Sequence, residues 1–346
     1  MPRASWVAMG RALLLGVLGG TLFHLAALPL PWMLGPLVAN LAASMVGARI
    51  AVPDRLRELG LGIMGLMLGG QVTTELVERL PDWSLSLLLL SAGVAVATYV
   101  VTLWYRRCGL ETTAAFFSAL PGGMAAMVML GERLGIDARG IAIGQSLRVV
   151  FVLLVLPPLF WLLEGGPSAP PEGAADAGWE DTWLLLLLVV APLGRHLLLP
   201  APALLVPLIL GAVLSASGIG SLQLPDWVMA AVLVVLGSSI GARFSGTSFW
   251  QLMAYAKYAL VATLLTLAVL GVFAELIHRL LGIPRDIAML ALAPGGMAEM
   301  AVLAVALDMD PLYVTFHHLF RLVALMLVGP FIALRIDRRS APRHRE

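Results

Sequence analysis

The sequence Pro-Gly-Gly-Met-Ala occurs twice, as residues 121–125 and again as residues 294–298, each time within an apolar run. Each proline is followed 27 residues later by an arginine, Arg148 in the first copy and Arg321 in the second. The register is kept without a gap, since 294 − 121 = 173 and 321 − 148 = 173. In the same register Met127 pairs with Met300, Leu130 with Leu303, Leu134 with Leu307, Asp137 with Asp310 and Pro157 with Pro330. Agreement over this length implies an internal duplication. It also restricts the backbone: proline removes an amide donor and the glycines lower helix propensity, so a continuous helix through either copy is penalised by roughly 3 kcal/mol or more.

The surroundings of these breaks set the solvent. The chain has 346 residues, of which 60% are hydrophobic and 12% charged, against roughly 25% charged in an ordinary soluble domain. Apolar runs recur along its whole length, most of them near the roughly 20 residues a helix needs to span hydrocarbon. The expected fold is an all-α, polytopic helical membrane protein of about ten to twelve transmembrane helices, in two homologous repeats whose PGG helices are discontinuous. A β-barrel is disfavoured because the runs are continuous, where barrel strands alternate. Arg3 and Arg11 before the first run imitate a secretory signal, but the corresponding run at 183–199 is internal, so the first is read as a retained helix. Cys108 is the single cysteine, which excludes an intramolecular disulfide and a cysteine-built metal centre.

One stretch interrupts the apolar pattern. Residues 164–181 are rich in Pro, Gly and Ala and carry Glu164, Glu172, Asp176, Glu180 and Asp181 with no base. They read as a linker between a first membrane repeat at 1–163 and a second at 182–335, with a basic tail at 336–346. Other landmarks agree: Pro31 and Pro36 match Pro202 and Pro207 at 202 − 31 = 171, and Gly65 and Gly69 match Gly237 and Gly241 at 237 − 65 = 172. Basic residues favour the cytoplasmic side. If each PGG segment enters and returns on one face, the halves are inverted and only Arg79, Arg279 and Arg285 break the rule; this is the favoured topology over parallel halves. Both models place the N and C termini in the cytoplasm of a bacterial inner membrane, as Arg335, Arg338, Arg339, Arg343 and Arg345 suggest.

The breaks define the candidate site: Pro121, Gly122, Gly123 and Arg148 in the first half, and Pro294, Gly295, Gly296, Glu299, His317 and Arg321 in the second. A broken helix at membrane depth survives where it is buried in protein or lines a cavity, and its exposed N-terminus favours an anion. Arg148 and Arg321 lie about ten residues into their helices, near the midplane, where each arginine costs roughly 2.5–3.5 kcal/mol on insertion scales and needs a partner. Glu299 stands where the first half has Ala126. It reads either as a salt-bridge partner of Arg321 or as a carboxylate that takes and releases a proton. His317 and His318 precede Arg321 by four and three positions and project about 100° apart, so both do not readily ligate one metal. Asn40, Gln71, Gln145, Gln251, Lys257 and His24 read as interhelical hydrogen-bonding residues rather than ligands. Met124, Met127, Met297 and Met300 flank the breaks and read mainly as core filling. No Walker A motif, HExxH zincin motif or nucleophile elbow is present, and neither catalysis, a cofactor nor a metal is expected.

The doubled PGG block and the segment His317-His318-x-x-Arg321-Leu322 resemble the AbrB family of bacterial inner-membrane proteins, built from a tandem duplication. The resemblance runs from about residue 12 to 335. The first copy departs from the fuller motif, with Ala126 in place of the glutamate and Gly144-Gln145 in place of the histidines. The resemblance implies regulation of gene expression as a label, and an old label of ammonia monooxygenase; a copper oxygenase would need clustered histidines that this chain lacks. The soluble DNA-binding protein that shares the AbrB name differs in composition. The acidic linker would repel nucleic acid, so the expected partners are the lipid bilayer, a small solute and protons, with a homo-oligomer left open. The leading expectation is a secondary transporter of a small solute, with an anion moved together with protons as the substrate class; the alternative is a membrane-embedded sensor that affects gene expression indirectly.

Overall fold

The computed structural model describes residues 3–72, 80–121, 138–164, 181–195 and 201–340. Its α-helices, in chain order, are α1 (Arg3–Leu25), α2 (Pro31–Met45), α3 (Asp54–Gly70), α4 (Ser84–Arg107), α5 (Thr112–Ala119), α6 (Ala138–Glu164), α7 (Pro202–Ala216), α8 (Asp226–Ala242), α9 (Phe249–Leu281), α10 (Arg285–Leu292), α11 (Met297–Ala306) and α12 (Pro311–Ser340). Two 3₁₀ segments, Leu80–Trp83 and Thr182–Arg195, complete the regular structure among the described residues. Trp6–Leu25, Pro81–Arg107, Gly140–Phe160 and Phe249–Leu281 are long and apolar enough to cross a membrane. The chain is therefore an all-α polytopic membrane protein. The linker expectation falls almost wholly on residues outside those described, as do Gly122 and Gly123.

The chain forms two compact units, one of residues 1–82, 153–249 and 301–312, the other of residues 83–152, 250–300 and 313–346. Each unit takes segments from both sides of the acidic stretch.

In the first unit, α2 and α7 each open with a proline, whose fixed φ suits the first helical position and whose missing N–H would have had no partner there. The residue before each proline is left-handed: Leu30 at φ 48°, ψ 55° and Ala201 at φ 46°, ψ 57°. That conformation costs a non-glycine residue about 1–2 kcal/mol, and it recurs at matched positions, 201 − 30 = 171. Helix α3 packs on α7, and α2 packs on both α1 and α8. The approaches are backbone to backbone. A Cβ on Gly65 would collide with the Leu204 carbonyl, and one on Gly237 with the Met33 carbonyl, the close small-residue contact that membrane helices use in place of a hydrophobic drive. Leu66, Leu184, Leu222 and Leu224 fill the space beside α3 and α7. Asn40 joins helices as expected, donating Nδ2 to the carbonyls of Ala12 (3.0 Å) and Pro36 (2.9 Å). On α1, Leu14, Leu18, Leu22 and Leu25 are exposed at helical spacing, as on a lipid-facing surface.

The second unit is built on α4 and α9, joined through Val101, Tyr105, Ala115, Ala119 and Ala262 and by a hydrogen bond from Trp104 Nε1 to the Tyr258 carbonyl (3.2 Å). The short α5 and α10, eight residues each, begin at matched positions, 285 − 112 = 173. Their ends form the site.

Candidate functional site

A residue that precedes proline is pushed out of the helical region by the ring, so α5 must stop before Pro121 and α10 before Pro294. The backbone obeys: Leu120 lies at φ −58°, ψ 122° and Ala293 at φ −50°, ψ 142°. Proline also removes the amide that would have bonded the carbonyl four residues back, which is Phe117 O in the first copy and Leu290 O in the second. Both residues are buried away from any water that could replace it.

The replacement donors come from the two arginine-bearing helices. Gln145 Nε2 donates to Phe117 O at 3.0 Å, and His318 Nε2 donates to Leu290 O at 3.0 Å. One turn further on, Arg148 Nη1 donates to Leu120 O (3.0 Å) and Arg321 Nη1 to Ala293 O (2.6 Å). The four contacts form two matched pairs, since 318 − 145 = 290 − 117 = 173 and 321 − 148 = 293 − 120 = 173. A face of α6 and the same face of α12 thus cap the ends of the broken helices, with cations placed where the negative end of a helix dipole favours them.

The two breaks also meet. Arg148 Nε donates to Pro294 O at 3.1 Å while its Nη1 holds Leu120 O, so one guanidinium bridges both interruptions. Arg321 reaches Leu292 O (3.4 Å) and Gly295 O (2.8 Å) besides Ala293 O. Its Nη2 also donates to His318 Nδ1 at 2.7 Å. His318 accepts there and donates through Nε2, so the pair of contacts selects the neutral Nε2–H tautomer. Both arginines are more than nine-tenths buried, and their partners among the described residues are neutral: backbone carbonyls and one imidazole. Arg321 Nε is buried and has no hydrogen-bond partner among the described residues.

The expected residues are therefore placed as follows. Pro121, Pro294, Gly295, Arg148 and Arg321 come together. Glu299 lies half-buried in the first turn of α11 with its carboxylate folded back over Gly296, and the hydrogen bonds of Arg321 go elsewhere. The guanidinium of Arg321 is thus held by carbonyl dipoles. His317 turns from the break: its Nε2 meets Ser86 Oγ at 2.7 Å, its Nδ1 donates to Tyr313 O at 2.8 Å, and its ring lies 3.9 Å from that of Tyr313. Its neighbour His318 faces the break, as the 100° between consecutive helical side chains requires. Gln145 and His318 are the site residues that the sequence reading passed over. The signal was present, because each follows its proline by 24 residues, 145 − 121 and 318 − 294. Of the remaining polar residues, His24 stacks on Trp32 with ring centres 5.8 Å apart and Lys257 lies 4.7 Å over the Tyr258 ring.

A family model described as "Transition state regulatory protein AbrB" matches residues 32–336. A provisionally named AbrB regulator of Escherichia coli (strain K12) is 27% identical over 355 residues, covering 99% of this chain and 99% of that protein. An uncharacterized Bacillus subtilis (strain 168) protein, YhjN, is 25% identical over 347 residues, covering 91% of this chain and 90% of its own length. No solved structure gives a significant match.

Proposed function

The chain belongs to the AbrB family, and from that membership together with the meeting of its two helix breaks we propose that it is a secondary transporter of a small anion. One observation carries the reading: two buried guanidinium groups converge on the carbonyls of Ala293, Pro294 and Gly295, with neutral partners among the described residues. Carbonyl dipoles hold the arginines in place, yet a dipole carries no net charge to balance two cations in a low-dielectric interior. An anion compensates it, and broken helices meeting inside a bundle are how many transporters build a midplane site. The matched offsets of the pre-proline ends, the capping contacts and the left-handed residues before α2 and α7 support two homologous halves, which we take to be inverted. Glu299 serves in this reading as the group that exchanges a proton during transport.

The test is uptake of labelled carboxylates of increasing length, and of phosphate, into proteoliposomes. Wild-type protein accumulates at least one of these anions. Arg148→Lys and Arg321→Lys, which keep the charge and lose the planar fork that holds two carbonyls, lower uptake by tenfold or more while retaining helical circular dichroism. Unchanged uptake in both variants would remove the reason for proposing an anion.

The description of the family and of the E. coli relative as regulators favours a second reading, in which a bound solute is sensed and gene expression is altered indirectly. Transcript changes on deletion that persist when a transport-dead variant is supplied would support that reading over uptake.

A further inference from the structure

Beside the breaks, the second unit contains a cavity of about 580 Å³ walled by α4, α5 and α12, within the roughly 300–1,000 Å³ usual for small-molecule sites. Leu120, whose carbonyl Arg148 caps, is part of its wall, so the cavity abuts the first interruption. The wall is mostly apolar, with Val94, Phe116 and Ala324 among its residues. Several polar side chains interrupt it, including the exposed Arg106 and the half-buried Thr112, and two of them are deeply buried. Arg321 and Thr98 both belong to the wall, both are more than nine-tenths buried, and Arg321 Nε and Thr98 Oγ1 each have no hydrogen-bond partner among the described residues. Of the other hydroxyls in the wall, those of Ser91 and Thr102 donate to carbonyls of their own helix, and those of Tyr99 and Thr112 lie on residues that are not buried. At the edge, Tyr99 and Val328 are 66% and 51% exposed, so the cavity opens toward the face that meets lipid.

We infer that this cavity binds a monocarboxylate with a hydrocarbon body, its carboxylate turned to Arg321 and Thr98 and its body along the apolar wall. A guanidinium N–H and a hydroxyl, both buried and unmet, ask for an acceptor, and the paired arginines ask for one that is negatively charged. Phosphate or acetate would supply the charge and leave the apolar wall unfilled. A long-chain alcohol would fill the wall and leave the charge. A membrane phospholipid carries its charge at the headgroup, whereas Arg321 lies 321 − 311 = 10 residues into α12, about 15 Å along the helix from Pro311, which is half the depth of a hydrocarbon core about 30 Å thick if α12 enters it at Pro311. The inference deepens the transport reading by naming the substrate class and rests on it for the direction of movement, but binding is measurable by itself.

The experiment is equilibrium binding of labelled octanoate to the full-length protein in nanodiscs, with acetate and octan-1-ol as competitors. Octanoate is expected to bind at least tenfold more tightly than either. Thr98→Val is expected to weaken binding several-fold. Ala324→Phe and Ala95→Phe, which fill the cavity from two different helices, are expected to abolish it while leaving the elution volume and circular dichroism of the protein unchanged. The inference is overturned if octan-1-ol competes as well as octanoate, if both phenylalanine variants bind octanoate normally, or if a phospholipid co-purifies with wild type and is lost from both. Octanoate binding without uptake of any anion by proteoliposomes would leave this site standing and remove the transport reading. Uptake of acetate or phosphate without octanoate binding would do the reverse.

Discussion

The capping scheme predicts that a proline and a glutamine 24 residues apart are energetically coupled. Gln145→Leu removes the donor to Phe117 O and leaves that carbonyl buried beside a proline that has no amide to offer. Side-chain hydrogen bonds within membranes contribute about 0.6 kcal/mol on average and up to about 1.7, and an unmet buried carbonyl adds about 1–3 kcal/mol. A loss of about 2–4 kcal/mol is expected for the single variant. Pro121→Ala returns an N–H four residues after Phe117 and lifts the restriction on Leu120, so in its presence the glutamine is no longer needed. The double variant should therefore recover at least about 0.5 kcal/mol relative to the sum of the singles, beyond the scatter of independent sites. The matched cycle, Pro294→Ala with His318→Leu, should show weaker coupling for a reason visible in the backbone: Leu290 O already accepts from Ala293 N at 3.2 Å. Reversible detergent-induced unfolding in bicelles, followed by circular dichroism, measures both cycles. Strict additivity in the first, or equal coupling in the two, would refute the idea that these side chains replace the amides that proline removes.

Helix contacts of the first unit make a second prediction. Gly65→Val and Gly237→Val should each cost at least the roughly 1–3 kcal/mol of overpacking, because the new Cβ meets a fixed backbone carbonyl, whereas Gly10→Ala, with nothing within 4 Å of its added carbon, should be neutral; folded yield after detergent extraction distinguishes them. Burial pushes the Cys108 thiol above its ordinary pKa, while nearby Lys257 pulls it partway back. A raised pKa means less thiolate at a given pH, so alkylation of Cys108 should reach half its maximal rate at a higher pH than for a free cysteine. Lys257→Ala should move that midpoint further up; a midpoint at or below that of free cysteine contradicts the assignment.

Composition made the all-helical membrane fold legible, and the doubled Pro-Gly-Gly made the breaks legible, because both follow from local chemistry: hydrocarbon solvent excludes open strands, and a proline forbids the helical region to its predecessor. What satisfies a break is not local. The sequence offered Glu299 either as a counter-charge for Arg321 or as a proton carrier, because a lone carboxylate in an apolar run stands out. The hydrogen bonds of Arg321 go largely to carbonyl oxygens, which every residue has and no sequence motif marks. For the same reason Gln145 looked like an ordinary interhelical donor until Phe117 O was seen to be the carbonyl that Pro121 had deprived of its amide. A repeat-based rule would have found it: in both copies the residue 24 positions after the proline can donate, through an amide in one and a ring N–H in the other. Glutamine and histidine share no charge and little shape. What they share is a donor at the end of a side chain of similar reach, and that is the property the orphaned carbonyl selects. The asymmetry between them leaves the first copy with a cap alone and the second with a cap whose other ring nitrogen also holds an arginine. If the halves arose by duplication, the second is where the polar network has been elaborated, and substitutions at His318 should disturb anion binding more than substitutions at Gln145 of equal structural cost.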